Sequence, residues 1–268
     1  MRIWFGFLAI AAVVCAQSGV EPSGEAPPAN PKGILALITG SALRYQGEVP
    51  DFTCTELIAR SEASAKIPPG TPPRWKLHDK LEEVLSFVEG RENHTLILVN
   101  GKPTRYTHES LDGMRSDGLL QFVMVPNWIF GPLSQTRFDW VRWDTMQGHR
   151  VAVFVFETPR SISTRPLVNQ PDTFMVSYHG LIWADPVTGE MARLEAQMSA
   201  PKDFPFQQDA FEIDYGKVHI SGEEFLLPVK SVGSLQDGKL LSKNEIEFTD
   251  YRKYEADVNI RFGDPGQP

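Results

Sequence analysis

From about Phe138 to Phe262 the sequence is a train of apolar–polar runs separated by turn residues, and this feature limits the possible folds most. Phe138-Asp-Trp-Val-Arg-Trp143 is followed by Gln147-Gly148 and then by Val151-Ala-Val-Phe-Val-Phe156. Phe174 to Trp183 is followed by Asp185-Pro-Val-Thr-Gly189 and then by Glu190 to Met198. Alternation at period two sends successive side chains to opposite faces, so each run has one face to bury. Runs joined by tight turns pair antiparallel, and a long series of them must curl over its apolar face. The expected fold class is mainly β (α+β): a strongly curved antiparallel sheet or unclosed β-barrel of about eleven strands with an N-terminal helix and a helical lid. Such sheets enclose cavities more often than they build catalytic centres.

The residues before this train fit the same plan. Asn30 as cap, Pro31 in the first turn and apolar Ile34, Leu35, Leu37, Ile38 and Leu43 predict a helix from Pro31 to about Tyr45, ended by Pro50. Phe52 to Glu62 reads as a strand. Arg74 to Glu89 suits either a helix or a long strand. The turn Gly90-Arg-Glu-Asn93 into Thr95–Val99, with Asn100-Gly101 after it, favours the strand. Further strands are expected near 136–145, 150–158, 161–168, 173–184, 190–199, 208–220, 224–234, 240–250 and 256–262.

The first sixteen residues stand apart. Arg2, the apolar run Ile3–Val14 and the small residues around Cys15-Ala16 predict a signal peptide over 1–16, too short to span a bilayer. A lipoprotein modified at Cys15 is the rival reading, disfavoured because Val14 stands where that processing prefers a small residue. Residues 17–30, rich in Pro, Gly, Ser and Ala, read as a flexible linker, and 31–264 as one barrel domain. The expected location is therefore periplasmic or secreted. Loss of Arg2 from 26 Lys+Arg leaves 25 against 34 Asp+Glu, a net charge of −9 that argues against nucleic acid or anionic lipid head groups as partners. Cys54 would be the one cysteine left after cleavage, and a buried strand thiol is the reading preferred over a reactive one.

Catalytic signatures are absent. No G-x-S-x-G elbow, phosphate loop or dinucleotide glycine motif occurs. None of His78, His94, His108, His149, His179 and His219 has another histidine or a cysteine two to four residues away, so no local metal frame exists. Only a site assembled from distant strands would escape that reasoning. Acidic pairs such as Asp139 with Asp144, or Glu223-Glu224, are expected on solvated faces; they are the only hint of a hydrolase. The expectation is no enzyme, no catalytic residue, no metal and no cofactor.

Aromatic residues are more telling. Asp117 to Phe130 is almost uncharged and holds Leu119, Leu120, Phe122, Val123, Trp128, Ile129 and Phe130, with Pro126 breaking any helix. A patch of this size invites association if left in water. It is expected either to plug the open end of the sheet or to close over a cavity. Phe138 with Trp140, Phe154 with Phe156, and Leu181 with Trp183 share faces as i, i+2 pairs. The candidate ligand-binding set is Phe122, Trp128, Phe130, Phe138, Trp140, Phe154, Phe156 and Trp183.

This order of parts resembles the LolA/LolB-like periplasmic lipoprotein carriers over residues 31–262. The sharpest local match is Gly180-Leu-Ile-Trp-Ala-Asp-Pro-Val-Thr-Gly-Glu-Met-Ala-Arg193, similar to that family's strand–turn–strand with D-P-x-T-G. The chain also resembles uncharacterised secreted bacterial proteins with Tyr45, Pro50–Glu56 and Phe248–Tyr254 as landmarks. The resemblance implies a non-enzymatic envelope protein that holds a hydrophobic small molecule, lipid or lipoprotein acyl chain in a half-barrel under a helical lid. A monomer is expected, with an envelope protein as a further possible partner. The alternatives are a filled barrel serving as a structural, interaction or sensor domain of the envelope, and thirdly a hydrolase.

Overall fold

The computed structural model describes residues 25–68, 70–107, 111, 129–159, 161–163, 174–199 and 208–255. The expected leader 1–16, most of the linker 17–30 and the strand at 256–262 lie outside them, as does 164–168 of the strand placed at 161–168.

Helix α1 spans Pro31–Glu48. Asn30 accepts a hydrogen bond from the Gly33 amide at 2.9 Å and satisfies one free donor of the first turn, while Pro31 costs nothing there. Val49 is extended, as the residue before Pro50 must be, and the helix stops. Ile38, Ala42 and Tyr45, at spacings of four and three, are the residues it buries. Leu37 and Leu43, expected in the stripe, are 46% and 41% exposed instead, because the seam follows a narrower face than composition suggests.

Among the described residues twelve strands follow: β1 Phe52–Ser64, β2 Lys76–Val88, β3 Arg91–Val99, β4 Lys102–Pro103, β5 Arg137–Met146, β6 His149–Glu157, β7 Ser161–Ser163, β8 Phe174–Ala184, β9 Met191–Ser199, β10 Gln208–Ile220, β11 Glu223–Asp237 and β12 Leu240–Lys253. Eleven run in the order β4-β3-β2-β1-β12-β11-β10-β9-β8-β6-β5, and β7 pairs with β8 off this path. All pairings are antiparallel. Two meanders are thus joined where β1 meets β12, and the sheet is unclosed, with β4 and β5 as its edges among the described residues. The turn between β5 and β6 places Gln147 and Gly148 at φ 50° and 81°, the left-handed pair that a two-residue hairpin requires.

Period-two alternation gives the sheet two unlike faces. One carries the main core with α1 seated on it: Cys54 and Ile58 of β1, Leu85 of β2, Phe154 and Phe156 of β6, Ile182 of β8, Leu194 of β9, Ile213 of β10 and Ile246 of β12. The other face carries a smaller cluster of Val151, Val153, Leu181 and Trp183. Residues 104–136 connect β4 to β5 in the sequence. The described side chains Leu111, Ile129 and Phe130 along this connection all pack on the main core.

Candidate functional site

The connecting segment arrives at the β5 edge among aromatic rings. Phe130 stacks on Phe138 with centroids 5.2 Å apart. Trp140 meets Phe154 edge-on at 5.5 Å and Trp143 at 4.9 Å. The bulge between Trp140 and Arg142 lets Trp140 and Trp143 share this face despite an odd spacing. Phe130 and Phe154 are buried, whereas Phe138 and Trp140 are only half-buried. Five of the sequence candidates (Phe130, Phe138, Trp140, Phe154 and Phe156) therefore belong to one core face. Phe122 and Trp128 lie outside the described residues, with most of the expected lid.

Trp183 does not join them. It sits on the opposite face with Leu181, and its indole N–H donates to Asp144 Oδ2 at 3.0 Å. Arg142 and Arg193 approach its ring at 5.9 and 6.0 Å. Arg193 binds Asp214 through two bonds of 2.5 and 2.9 Å and reaches Glu212 at 3.1 Å. Burial raises the Asp144 carboxyl, but the Trp183 indole, the Thr145 amide and Arg142 hold it below its usual range. Burial and the neighbouring Glu212 push Glu195 up to about 7, only partly offset by Arg193 and Arg142. A cavity of about 520 Å³ opens on this second face among Leu57, Lys80, Glu82, Leu98, Lys230 and Glu247. Leu81, Ile58 and Ile246 line it as well, so its surface is mixed apolar and charged.

A third group was missed from sequence. Glu56, Glu83 and His94, from β1, β2 and β3, come together on the core face. Glu56 stands opposite Glu83 in register, and His94 opposite Leu85. His94 Nδ1 lies 2.8 Å from Glu56 Oε2 and 3.8 Å from Glu83 Oε2. Burial pulls the His94 pKa down, but the hydrogen bond and charge of Glu56, with Glu92 and Glu83, push it up to about 9. Nearby, burial and Glu56 push the Cys54 thiol well up, so it is no nucleophile at neutral pH. Local spacing could not reveal this group, but strand parity could. In Phe52-x-Cys54-x-Glu56-x-Ile58 and Leu81-x-Glu83-x-Leu85-x-Phe87 each acid occupies an inward position between apolar residues.

No family model matches the chain, and no curated protein does. Among solved structures it is similar to a domain from Vibrio parahaemolyticus described provisionally as an outer membrane lipoprotein-sorting protein. That likeness has 12% identity and TM-score 0.33 and covers 82% of this chain and 92% of that one. A LolA superfamily protein from Nitrosomonas europaea is similar at 9% identity and TM-score 0.30, over 81% and 92% of the two chains. A DUF1329 family protein from Desulfovibrio piger is similar at 12% identity and TM-score 0.35, over 85% and 95%.

Proposed function

We propose that this is a non-enzymatic protein of the cell envelope that holds a hydrophobic ligand, of the acyl-chain class, on the core face at the β5 edge. The observation that supports it best is the aromatic stripe Phe130–Phe138–Trp140–Phe154, half-open at a free edge of the sheet. Two of its rings keep surface in reach of a ligand, and the segment connecting β4 to β5 arrives beside them. Each methylene removed from water contributes about 0.8 kcal/mol, so a short alkyl chain along such a stripe needs no polar anchor to bind. Residues 31–264 would form the carrying domain and 117–130 its lid, after export and removal of 1–16.

Binding of an apolar fluorescent probe, together with native mass spectrometry of gently purified protein, tests this reading. Phe138→Ala and Trp140→Ala should each weaken probe binding about tenfold, the effect of losing ~1.4 kcal/mol of contact, while the far-ultraviolet circular dichroism persists. Variants that bind the probe like the parent but unfold at lower denaturant would make the stripe packing alone. The filled-sheet interaction domain would then be the better reading, and the close burial of Phe154, Ile182, Leu194 and Ile213 is the observation on its side.

A further inference from the structure

We propose that Glu56, Glu83 and His94 form a binding site for one divalent transition-metal cation, zinc in the first instance. One nitrogen and two carboxylate oxygens from three adjacent strands lie within 4.8 Å of one another. Zinc bonds of ~2.0–2.1 Å in tetrahedral geometry place ligand atoms about 3.3–3.4 Å apart. The 2.8 and 3.8 Å separations from His94 Nδ1 bracket that value, so shifts of a few tenths of an ångström would complete the first shell. The ligand type also selects the metal. Calcium wants ~6–8 oxygens and magnesium keeps its waters, whereas imidazole with carboxylates suits zinc and its neighbours.

The surroundings give the cation a reason to bind. Glu56 and Glu83 are fully buried, side by side, with Ile58, Leu81 and Leu85 as neighbours on the same strands. Two carboxylates this close in an apolar core are costly unless a positive charge is shared between them. Glu56 Oε2 is engaged by His94, but its other oxygen, Oε1, is buried and has no hydrogen-bond donor. Two carboxylates, a neutral imidazole and a divalent ion balance to zero. The His94 side chain is 9% exposed, and among the described residues the strand outside β3 is the two-residue β4, opposite Leu98 and Val99. This inference concerns the β1–β3 end of the sheet and does not depend on the apolar-ligand reading.

The test is zinc titration of the chelator-treated mature protein against a chromophoric competitor, followed by X-ray absorption at the zinc edge. One equivalent should bind, with a shell of one imidazole nitrogen and oxygens and no sulfur. Glu56→Gln and His94→Gln should each weaken binding at least about tenfold, and Cys54→Ser should leave it unchanged. The site is refuted by no stoichiometric uptake at ~10 μM zinc, by a sulfur neighbour, or by variants that bind like the parent. Should the two variants fail to fold, the absorption shell of the parent protein decides alone.

Discussion

Gly189 shows what a single missing Cβ does for this fold. It closes the Asp185–Glu190 turn at φ +77°, and a Cβ there would come within 2.4 Å of the Leu37 backbone in α1. Around it, Asp185 Oδ1 accepts from the amides of Val187 at 2.7 Å and Thr188 at 2.9 Å, the self-bonding that makes Asp a turn former. The D-P-x-T-G element therefore packs directly against the helix backbone. Gly189→Ala combines left-handed strain with a backbone collision, and is expected to cost about 2–4 kcal/mol in urea unfolding. Val187→Ala in the same turn, at a residue 79% exposed, should stay within about 0.5 kcal/mol. Equal effects at the two positions would mean that the turn does not bear on α1.

Among elements, β9 and β10 carry the clearest dependence on pH. Glu195 stands opposite Glu212 across the pair, and its carboxyl titrates near 7 in the folded protein against 4.5 ordinarily. A raised acid pKa means the folded state holds the proton more tightly. Its stabilising effect is complete below about pH 4.5 and is lost as pH rises through 7. Glu195→Gln should therefore flatten the stability profile between those values, by on the order of 1–3 kcal/mol in chemical denaturation. An unchanged slope would show that the Arg193 network already neutralises the pair. In the metal-free protein His94 acts in the same direction at higher pH, since a raised histidine pKa stabilises below 6.5 and loses that effect as pH rises through about 9. Strand parity is what made most of this sheet legible. The turn expected at Gly90-Arg-Glu-Asn93, found at residues 89–90, favoured a strand over a helix for β2, and the runs at 150–158 and 173–184 lie where β6 and β8 are found. Parity within one strand does not say which face meets the helix, so Trp183 was grouped with Phe154 although register puts them on opposite faces. Nor does it align strands: Glu56, Glu83 and His94 meet only because two hairpins fix their registers. Leu37 and Leu43 mislead for a related reason, as apolar content does not define the buried seam of α1.

At the scale of the molecule, an open sheet must protect two free edges, because unpaired strands are templates for association. Among the described residues, β4 covers the β3 edge only opposite Leu98 and Val99. The β5 edge is ten residues long and is handled differently. Its bulge at Trp140/Arg142 interrupts a regular ladder, and the chain before α1 is fastened beside it. There the Trp143 indole N–H donates to the Ala26 carbonyl at 3.1 Å, and Arg150 lies 3.8 Å over the Trp143 ring while pairing with Glu25 at 2.5 Å. The ion pair is 57% exposed on both sides, so it contributes little by itself. The indole bond, the cation–π contact and the cover over a buried tryptophan together are worth about 1–2 kcal/mol. Removing residues 17–29, which spares the Asn30 cap, should thus lower Tm by about 3–8 °C for a domain of this size. It should also raise iodide quenching of tryptophan fluorescence and promote self-association seen by analytical ultracentrifugation, as β5 loses its cover. Arg150→Ala should reproduce a smaller part of the same change. A truncated protein with the parent's Tm, quenching and sedimentation would mean that the strap merely rests on the sheet, and that the bulge alone guards its edge.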